Sequence, residues 1–226
     1  MPRVPRSRIG RFIAGLCAFR KLVDNPSDPL HGPIFQICIE HGLLHKVTRS
    51  FGEHGEGRRL LAERPRLNAR TVSLEAMMAA HPPRSLAHAY AAYFAANNII
   101  PFEPPELPVD TDFDYVATRL REAHDVLHVV TGYGTDDVGE LELQWFQFGN
   151  LGRGPLPVIM LIAFIALGRM RKFGWRKTLR RVVAAYRRGR RSRALASVVW
   201  EDYWHLPVCD VQALMCAPAI TPAATG

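Results

Sequence analysis

The sequence predicts an all-α protein, a single helical domain with a basic, amphipathic N-terminal segment. Apolar residues recur at helical spacing along most of the chain, and both alternating strand patterns and Asn-Gly hairpins are absent from the sequence. The 226 residues are 48% hydrophobic and 22% charged, which supplies the core of one domain and excludes a disordered chain. Four scattered cysteines without a C-x-x-C pair exclude a disulfide scaffold and indicate a reducing compartment.

The first predicted element is the basic segment 1–21, which carries six Lys or Arg side chains and no acid. Ile9, Phe12, Ile13 and Leu16 lie at the spacing of one helix face. This pattern is typical of an amphipathic helix that contacts a membrane or of an organelle transit peptide. A short surface helix that closes the domain is the alternative interpretation.

The remaining elements are predicted to form one all-α domain at 22–216, followed by a flexible tail rich in Pro and Ala at 217–226. Gly- and Pro-rich breaks separate the helical patterns. The predicted helices cover 84–100, 113–131, 138–148, 157–170, 175–188 and 192–204, with a Pro-rich connection at 101–112, a turn at 132–137 and a break centred on Gly189. The apolar run 155–168 is shorter than the ~20 residues of a membrane-spanning helix, so we expect a buried helix or the wall of a lipid groove.

Charge is distributed unevenly along the chain. The formal net charge is +8, yet residues 22–150 contain 18 acidic and 10 basic side chains, whereas 151–200 contain 13 basic and no acidic ones. In the basic helix, an apolar face of Leu179, Val182, Val183 and Tyr186 is flanked by a cationic rim. That rim consists of Arg176, Lys177, Arg180, Arg181, Arg187 and Arg188. We expect an anionic membrane surface as its partner and no nucleic acid, because the segment lacks a nucleic-acid-binding module; a solvated helix face remains the alternative.

The candidate site lies in residues 121–140. His124, Asp125 and His128 form H-D-x-x-H and occupy one arc of a helix, since each residue advances about 100°. A turn at 132–137 would bring Glu140 to the same face. Two imidazoles with one or two carboxylates suit Zn²⁺, Fe²⁺, Mn²⁺ or Co²⁺, so the predicted metal ligands are His124, Asp125, His128 and Glu140.

Other residues near the motif receive separate roles. Arg121 falls on the same arc and either orients Asp125 or binds a substrate carboxylate, so Arg121 and Asp125 are the predicted catalytic residues. Asp136 and Asp137 are predicted to be turn and N-cap residues. The other histidines have no paired carboxylates at a spacing that would form a metal site with them, so we expect them to be structural.

The motif resembles the signature of the coenzyme Q biosynthesis protein 4 family, which is H-D-x-x-H followed by eleven residues and Glu. The flanking sequences RLREAHD at 119–125 and TGYGTDDVGELELQ at 131–144 are similar to that family as well, and so are 84–101, 185–195 and the Trp200-Glu201 pair. The resemblance extends over about residues 25–214. Two departures stand out: PFEPPE at 101–106 lacks an expected basic residue, and Asp210 and Gln212 occupy positions where the family tends to have Glu and Arg.

The resemblance implies a ubiquinone biosynthesis protein, all-α and peripheral on a membrane. It implies a metal-dependent, oxidative decarboxylase of the lyase class that replaces the C1 carboxyl of a polyprenylated 4-hydroxybenzoate intermediate with hydroxyl. Zinc is the metal that the resemblance favours, and Fe, Mn and Co are the alternatives. The implied partners are the lipid substrate, other ubiquinone biosynthesis enzymes and a second copy in a homodimer.

The implied location is the cytoplasmic face of a bacterial inner membrane or the matrix face of the mitochondrial inner membrane. Two other functions remain open. One is a non-catalytic scaffold or lipid-presenting protein of the same pathway, in which the metal is structural. The other is an unrelated metal hydrolase, although zincins require Glu rather than Asp as the second motif residue.

Overall fold

The computed structural model describes residues 5, 7–24, 31–99, 109–152, 154–166, 168 and 172–218. Throughout this part of the chain the regular secondary structure is helical, and the only β pairing is an isolated bridge between Ser85 and Pro207. The all-α prediction is therefore confirmed. Residues 219–226 of the tail predicted at 217–226 lie outside the described residues, as does most of the Pro-rich connection.

The helices are numbered in chain order. They are α1 (Arg8–Asp24), α2 (His31–Glu53), α3 (Gly55–Glu63), α4 (Leu74–Ala80), α5 (Leu86–Asn97), α6 (Asp112–Glu122), α7 (His124–Thr131), α8 (Asp137–Asn150), α9 (Leu156–Ala166), α10 (Trp175–Arg191) and α11 (Val208–Met215), with a 3-10 helix at Trp200–Tyr203 between the last two.

The chain groups into two compact units. The first comprises Met1–Ser73, Ile100–His124 and Gly154–Leu156, and the second comprises Leu74–Ile99, Asp125–Arg153 and Pro157–Gly226. The prediction of a single domain at 22–216 stays a prediction. Within the described residues, no helix combines the length and the apolar character that crossing a bilayer requires.

In the first unit, helix α1 packs on α2, which also contacts α3 and α6. Small residues on one face of α1, among them Ala18, meet Ile34 and Cys38 of α2. The opposite face carries the predicted apolar stripe, and its side chains are 56–74% exposed. The amphipathic helix predicted at the N-terminus is therefore present, with its large apolar residues directed to solvent.

In the second unit, α8 and α10 form the most extensive helix pair. Val138 and Leu141 of α8 pack with Val182 of α10 and Phe164 of α9. At Gly189 the two backbones approach so closely that a Cβ atom there would collide with the Phe146 carbonyl. The predicted break at Gly189 is wrong, because this glycine permits close packing while α10 continues to Arg191.

Two further helix predictions need correction. The predicted helix 113–131 is two helices, since Ala123 adopts a turn conformation between α6 and α7. In place of a helix over 192–204, the chain forms a short 3-10 helix and then α11. Trp200 is buried in that 3-10 helix, so packing of this aromatic residue outweighs the helical spacing of its neighbours.

Candidate metal centre

The helix that carries both predicted histidines begins directly after a firmly held carboxylate. Glu122, the last residue of α6, has a side chain with no solvent exposure and forms a bidentate ion pair with Arg66 at 2.7–3.1 Å. It also accepts hydrogen bonds from the Leu67 amide and the Asn68 side chain, each at 2.8 Å. Four donor groups thus satisfy this buried charge and fix the chain two residues before His124.

A compact loop leads from α7 to α8. Asp136 caps α8 by accepting hydrogen bonds from the backbone amides of Val138 at 2.9 Å and Gly139 at 3.1 Å, which confirms the predicted N-cap role. Gly139 lies against the Gly134 carbonyl with no room for a Cβ atom. Thr135 donates to the Asn97 side chain of α5 at 2.7 Å. These contacts place Glu140 in the first turn of α8.

The structure brings together His124, His128 and Glu140, three of the four predicted ligands. One ligand atom from each lies within 4.8 Å of the others. The Nε2 atom of His128 is 3.1 Å from Oε1 of Glu140. Since Glu140 is far from the histidines in sequence, the α7–α8 turn creates the group as predicted.

His128 is the buried member of the group, with 2% of the residue exposed. Its Nδ1 donates to the Tyr133 carbonyl at 2.9 Å, because a carbonyl oxygen only accepts. In the neutral ring this bond leaves the lone pair of Nε2 for a cation. Without metal, burial lowers the pKa of His128, but the hydrogen bond and charge of Glu140 outweigh burial and raise the pKa above its usual value.

Asp125 lies outside the group of three. Its carboxylate is hydrogen-bonded to the hydroxyl of Tyr93, whose ring stacks on the His128 imidazole with centroids 5.6 Å apart. Burial and the charges of Asp125 and Glu140 raise the pKa of Tyr93, so this hydroxyl keeps its proton. Arg121 is half-buried in the last turn of α6. The assignments of Asp125 as a ligand and of both residues as catalytic stay predictions.

The donor set fits a divalent metal. Two imidazoles and one carboxylate are ligands that Zn²⁺ and divalent iron, manganese and cobalt accept, and three protein ligands leave coordination positions for other groups. Tyr93 is the site residue that the sequence interpretation missed. It lies on an Ala-rich helix 35 residues before His128, where nothing but its aromatic character distinguishes it.

The basic helix α10 carries two kinds of arginine, which the sequence interpretation grouped together. Arg181 pairs with Glu142 of α8 at 2.6 and 2.7 Å, and Arg188 donates to the Thr131 carbonyl at 2.6 Å. The prediction that both belong to a lipid-facing rim is wrong, since their guanidinium groups bind within the protein. Exposed apolar residues on this helix are Trp175, Leu179 and Val183, whereas Val182 is buried against α8.

Comparison with known proteins supports the resemblance noted in the sequence. The family described as Coenzyme Q (ubiquinone) biosynthesis protein Coq4 matches residues 35–217, which include all four predicted ligands. The chain belongs to the Coq4 family. The basic helix and the closing helix α11 also lie within the Coq4 match.

Two relatives in the Coq4 family are mosquito proteins described as mitochondrial ubiquinone biosynthesis protein COQ4 homologues. The one from Culex quinquefasciatus is 34% identical over 171 residues, which cover 75% of this chain and 60% of the relative. The one from Aedes aegypti is also 34% identical, over 172 residues that cover 75% of this chain and 61% of the relative. The chain therefore spans about 60% of the length of these relatives.

A protein from Nostoc punctiforme that is assigned to ubiquinone biosynthesis has a similar fold in its crystal structure. The two superpose with a TM-score of 0.70 over 90% of this chain and 97% of the other, at 21% sequence identity. This likeness shows that the Coq4 helical arrangement is shared at low sequence identity.

Proposed function

We propose that this chain acts in ubiquinone biosynthesis as a metal-dependent enzyme that removes the C1 carboxyl group from a polyprenylated 4-hydroxybenzoate intermediate. The convergence of His124, His128 and Glu140 within 4.8 Å carries the proposal, because it gives the chain a donor set for one divalent metal. Family membership and the names of the relatives support the pathway.

Each residue of the site receives a role in that reaction. His124, His128 and Glu140 would hold the metal, and Tyr93 covers one face of the His128 ring. A bound divalent metal supplies a Lewis acid that stabilises negative charge on an oxygen atom of the substrate. Arg121 is proposed to bind the carboxylate of the substrate ring. Asp125, which is hydrogen-bonded to the Tyr93 hydroxyl, is proposed as a further catalytic residue and metal ligand.

The residues of the site account for loss of the carboxyl group but not for its oxidative replacement by hydroxyl. When the bond between C1 and the carboxyl carbon breaks, CO₂ leaves and the electron pair stays on the ring, where a proton replaces the lost group. Exchanging carboxyl for hydroxyl instead also removes two electrons and needs a separate oxidant such as dioxygen. The proposed activity is therefore decarboxylation, with zinc as the favoured metal for a step that needs no redox change.

The test uses His128→Ala and Glu140→Ala, with the exposed His205→Ala as matched control. Metal content of the purified proteins is measured, together with ubiquinone and its precursors in cells that depend on each variant. We expect both site variants to lose metal and to accumulate a C1-carboxylated polyprenyl intermediate, while the control behaves as wild type. Metal loss with normal ubiquinone levels would remove the catalytic role and favour a scaffold or lipid-presenting protein.

The proposed enzyme also needs access to a lipid substrate, and α10 offers a surface for this. Trp175, Leu179 and Val183 follow one another at i, i+4 and i+8 and are 58%, 43% and 37% exposed. Exposed Arg176, Lys177, Arg180 and Arg187 share the helix. Exposed apolar side chains next to cations suit an anionic membrane surface, where each basic residue contributes ~1 kcal/mol.

We therefore propose peripheral binding to an inner-membrane surface, mitochondrial or bacterial, with other enzymes of the pathway and a second copy of the chain as partners. Flotation with vesicles of phosphatidylcholine and phosphatidylglycerol tests the membrane surface. Leu179→Glu should reduce flotation, whereas Leu214→Glu, at a similarly exposed leucine of α11, should not. Equal flotation of both variants, or binding to oligonucleotides but not to vesicles, would contradict this proposal.

A further inference from the structure

Three carbonyl groups at the end of α7 accept hydrogen bonds from side chains of α10, of α11 and of the residue that follows α11. The last four carbonyls of a helix have no partner within it. In α7 the His128 carbonyl accepts from the Gly132 amide at 2.8 Å, and the other three accept from side chains. These are Val129 from Gln212 at 3.0 Å, Val130 from the Cys216 thiol at 3.7 Å, and Thr131 from Arg188 at 2.6 Å.

Arg188 is the central member of this carbonyl clamp, which we define as Arg188, Gln212 and Cys216. Besides Thr131, its guanidinium donates to the Ala217 carbonyl at 2.8 Å. The same group lies 5.4 Å from the ring centroid of Tyr133 and 5.9 Å from that of Phe146. One side chain of α10 thus connects the end of α7, the loop after it and the segment after α11.

The loop contact leads directly to a metal ligand. The Tyr133 carbonyl is the acceptor for Nδ1 of His128, and the Tyr133 ring is held under Arg188. Hydrogen bonds to the second nitrogen of a ligating histidine fix its ring orientation, and their loss typically costs 10–100-fold in metal affinity. We therefore expect a substitution of Arg188 to alter the ring orientation of His128, both through the end of α7 and through the Tyr133 peptide.

Gln212 is one of the two positions at which the closing segment departs from the resembled family, with glutamine where arginine is expected. In the structure its side-chain amide still donates to the Val129 carbonyl. The donor function is therefore present without the positive charge, which explains how this chain accommodates the departure.

We propose that Arg188 and Gln212 are positioning residues for the metal centre: the carbonyl clamp sets the ring orientation of His128 by holding the end of α7 and the Tyr133 peptide. The inference rests on the proposed metal site, but it concerns residues outside the group of His124, His128 and Glu140. Arg188 thereby has a role distinct from the exposed cations of the same helix.

The experiment compares Arg188→Met with Arg187→Met, which changes the exposed neighbour in the same way. Cobalt affinity is measured by titration, and the visible absorption of the cobalt protein at saturation reports ligand geometry. We expect Arg188→Met to lower cobalt affinity about 10–100-fold and to change the spectrum. Arg187→Met should match wild type, and Arg188→Lys should recover part of the affinity because lysine can donate to a single carbonyl.

The outcomes separate this inference from the proposed function. A wild-type protein that binds no cobalt would contradict the metal site itself. Normal cobalt binding by wild type with an unchanged affinity and spectrum in Arg188→Met would overturn the clamp alone. If Arg188→Met does not fold, Gln212→Leu takes its place, with Gln212→Lys as the variant that keeps a donor; equal cobalt affinity in these two would also overturn the inference.

Discussion

Glu122 and Glu140 flank helix α7 in the sequence, and their surroundings differ sharply. The Glu122 side chain is fully buried and accepts hydrogen bonds from three consecutive residues, including a bidentate arginine. The Glu140 side chain is 34% exposed and faces the imidazole of His128. A buried carboxylate whose lone pairs are taken by donors supports the fold, whereas a partly exposed carboxylate beside imidazoles is suited to bind a cation.

The largest effect on stability is expected at the buried carboxylate. Glu122→Ala leaves Arg66 and the donors of Leu67 and Asn68 without their acceptor, which should lower the free energy of unfolding by about 3–5 kcal/mol. Urea denaturation of the purified protein measures this loss. Glu63→Ala removes an exposed partner of Arg59 and should cost no more than about 1 kcal/mol. Similar losses for the two variants would break the comparison.

At Glu140 we expect a large change in metal binding with little change in stability. Glu140→Gln keeps the size of the side chain but removes the charge of a proposed ligand, so zinc affinity should fall by at least about 100-fold, more than the roughly 10–100-fold loss typical of outer-shell partners. The free energy of unfolding without metal should change by about 1 kcal/mol or less, since the side chain is partly exposed. Competition with a chromophoric chelator gives the affinity, and Glu75→Gln on the exposed face of α4 is the control.

Glu142 tests whether an ion pair with an arginine is enough to distinguish a carboxylate that supports the fold, such as Glu122, from one suited to bind a cation, such as Glu140. It lies two residues after Glu140, is 10% exposed as a side chain and pairs with Arg181. Arg181→Met should therefore lower the free energy of unfolding by about 1–2 kcal/mol without changing zinc affinity. Arg180→Met, at an exposed neighbour, should change the stability by less than about 0.5 kcal/mol. Reduced zinc affinity in Arg181→Met would show that the two carboxylates are coupled.

The smallest effect is expected at Glu40 and depends on pH. Burial raises the pKa of this carboxyl group, although hydrogen bonds from Gln36 and the Leu156 amide oppose the rise. The folded state then holds the proton more tightly than the unfolded state. The resulting stability is present below the ordinary pKa and is lost as pH rises through the raised value. Glu40→Gln should thus be more stable than wild type at pH 7, and thermal unfolding at several pH values should show the difference vanish in acid.

The sequence predicts the helical class and most helix positions because Pro and Gly separate the patterns and because apolar residues repeat at helical spacing. It also predicts that His124, His128 and Glu140 lie close together, since His124 and His128 share one short helix and the turn before Glu140 is rich in Gly and Asp. In that region local rules determine the geometry.

The interpretation from sequence is wrong at positions where contacts between distant segments determine the end of a helix or the partner of a side chain. The pattern predicts a helix end at Gly189, yet this glycine allows two backbones to meet. Arg181 and Arg188 lie in a stretch of sequence that resembles a lipid-facing cationic rim. In the structure, however, Arg181 binds the Glu142 carboxylate and Arg188 binds the Thr131 carbonyl, both far away in sequence. Tyr93 reaches the site from α5, and no local pattern connects it with His128.

The packing of α8 has a consequence for insertions and deletions. Eleven residues separate His128 from Glu140, and the tight contacts at Gly139 and Gly189 hold α8 in one register. One added residue at 132–136 would either turn Glu140 by about 100° around its helix axis or force those glycine contacts apart. The loop therefore acts as a fixed spacer, and we expect a change in its length to leave the helices intact but to move Glu140 away from His124 and His128.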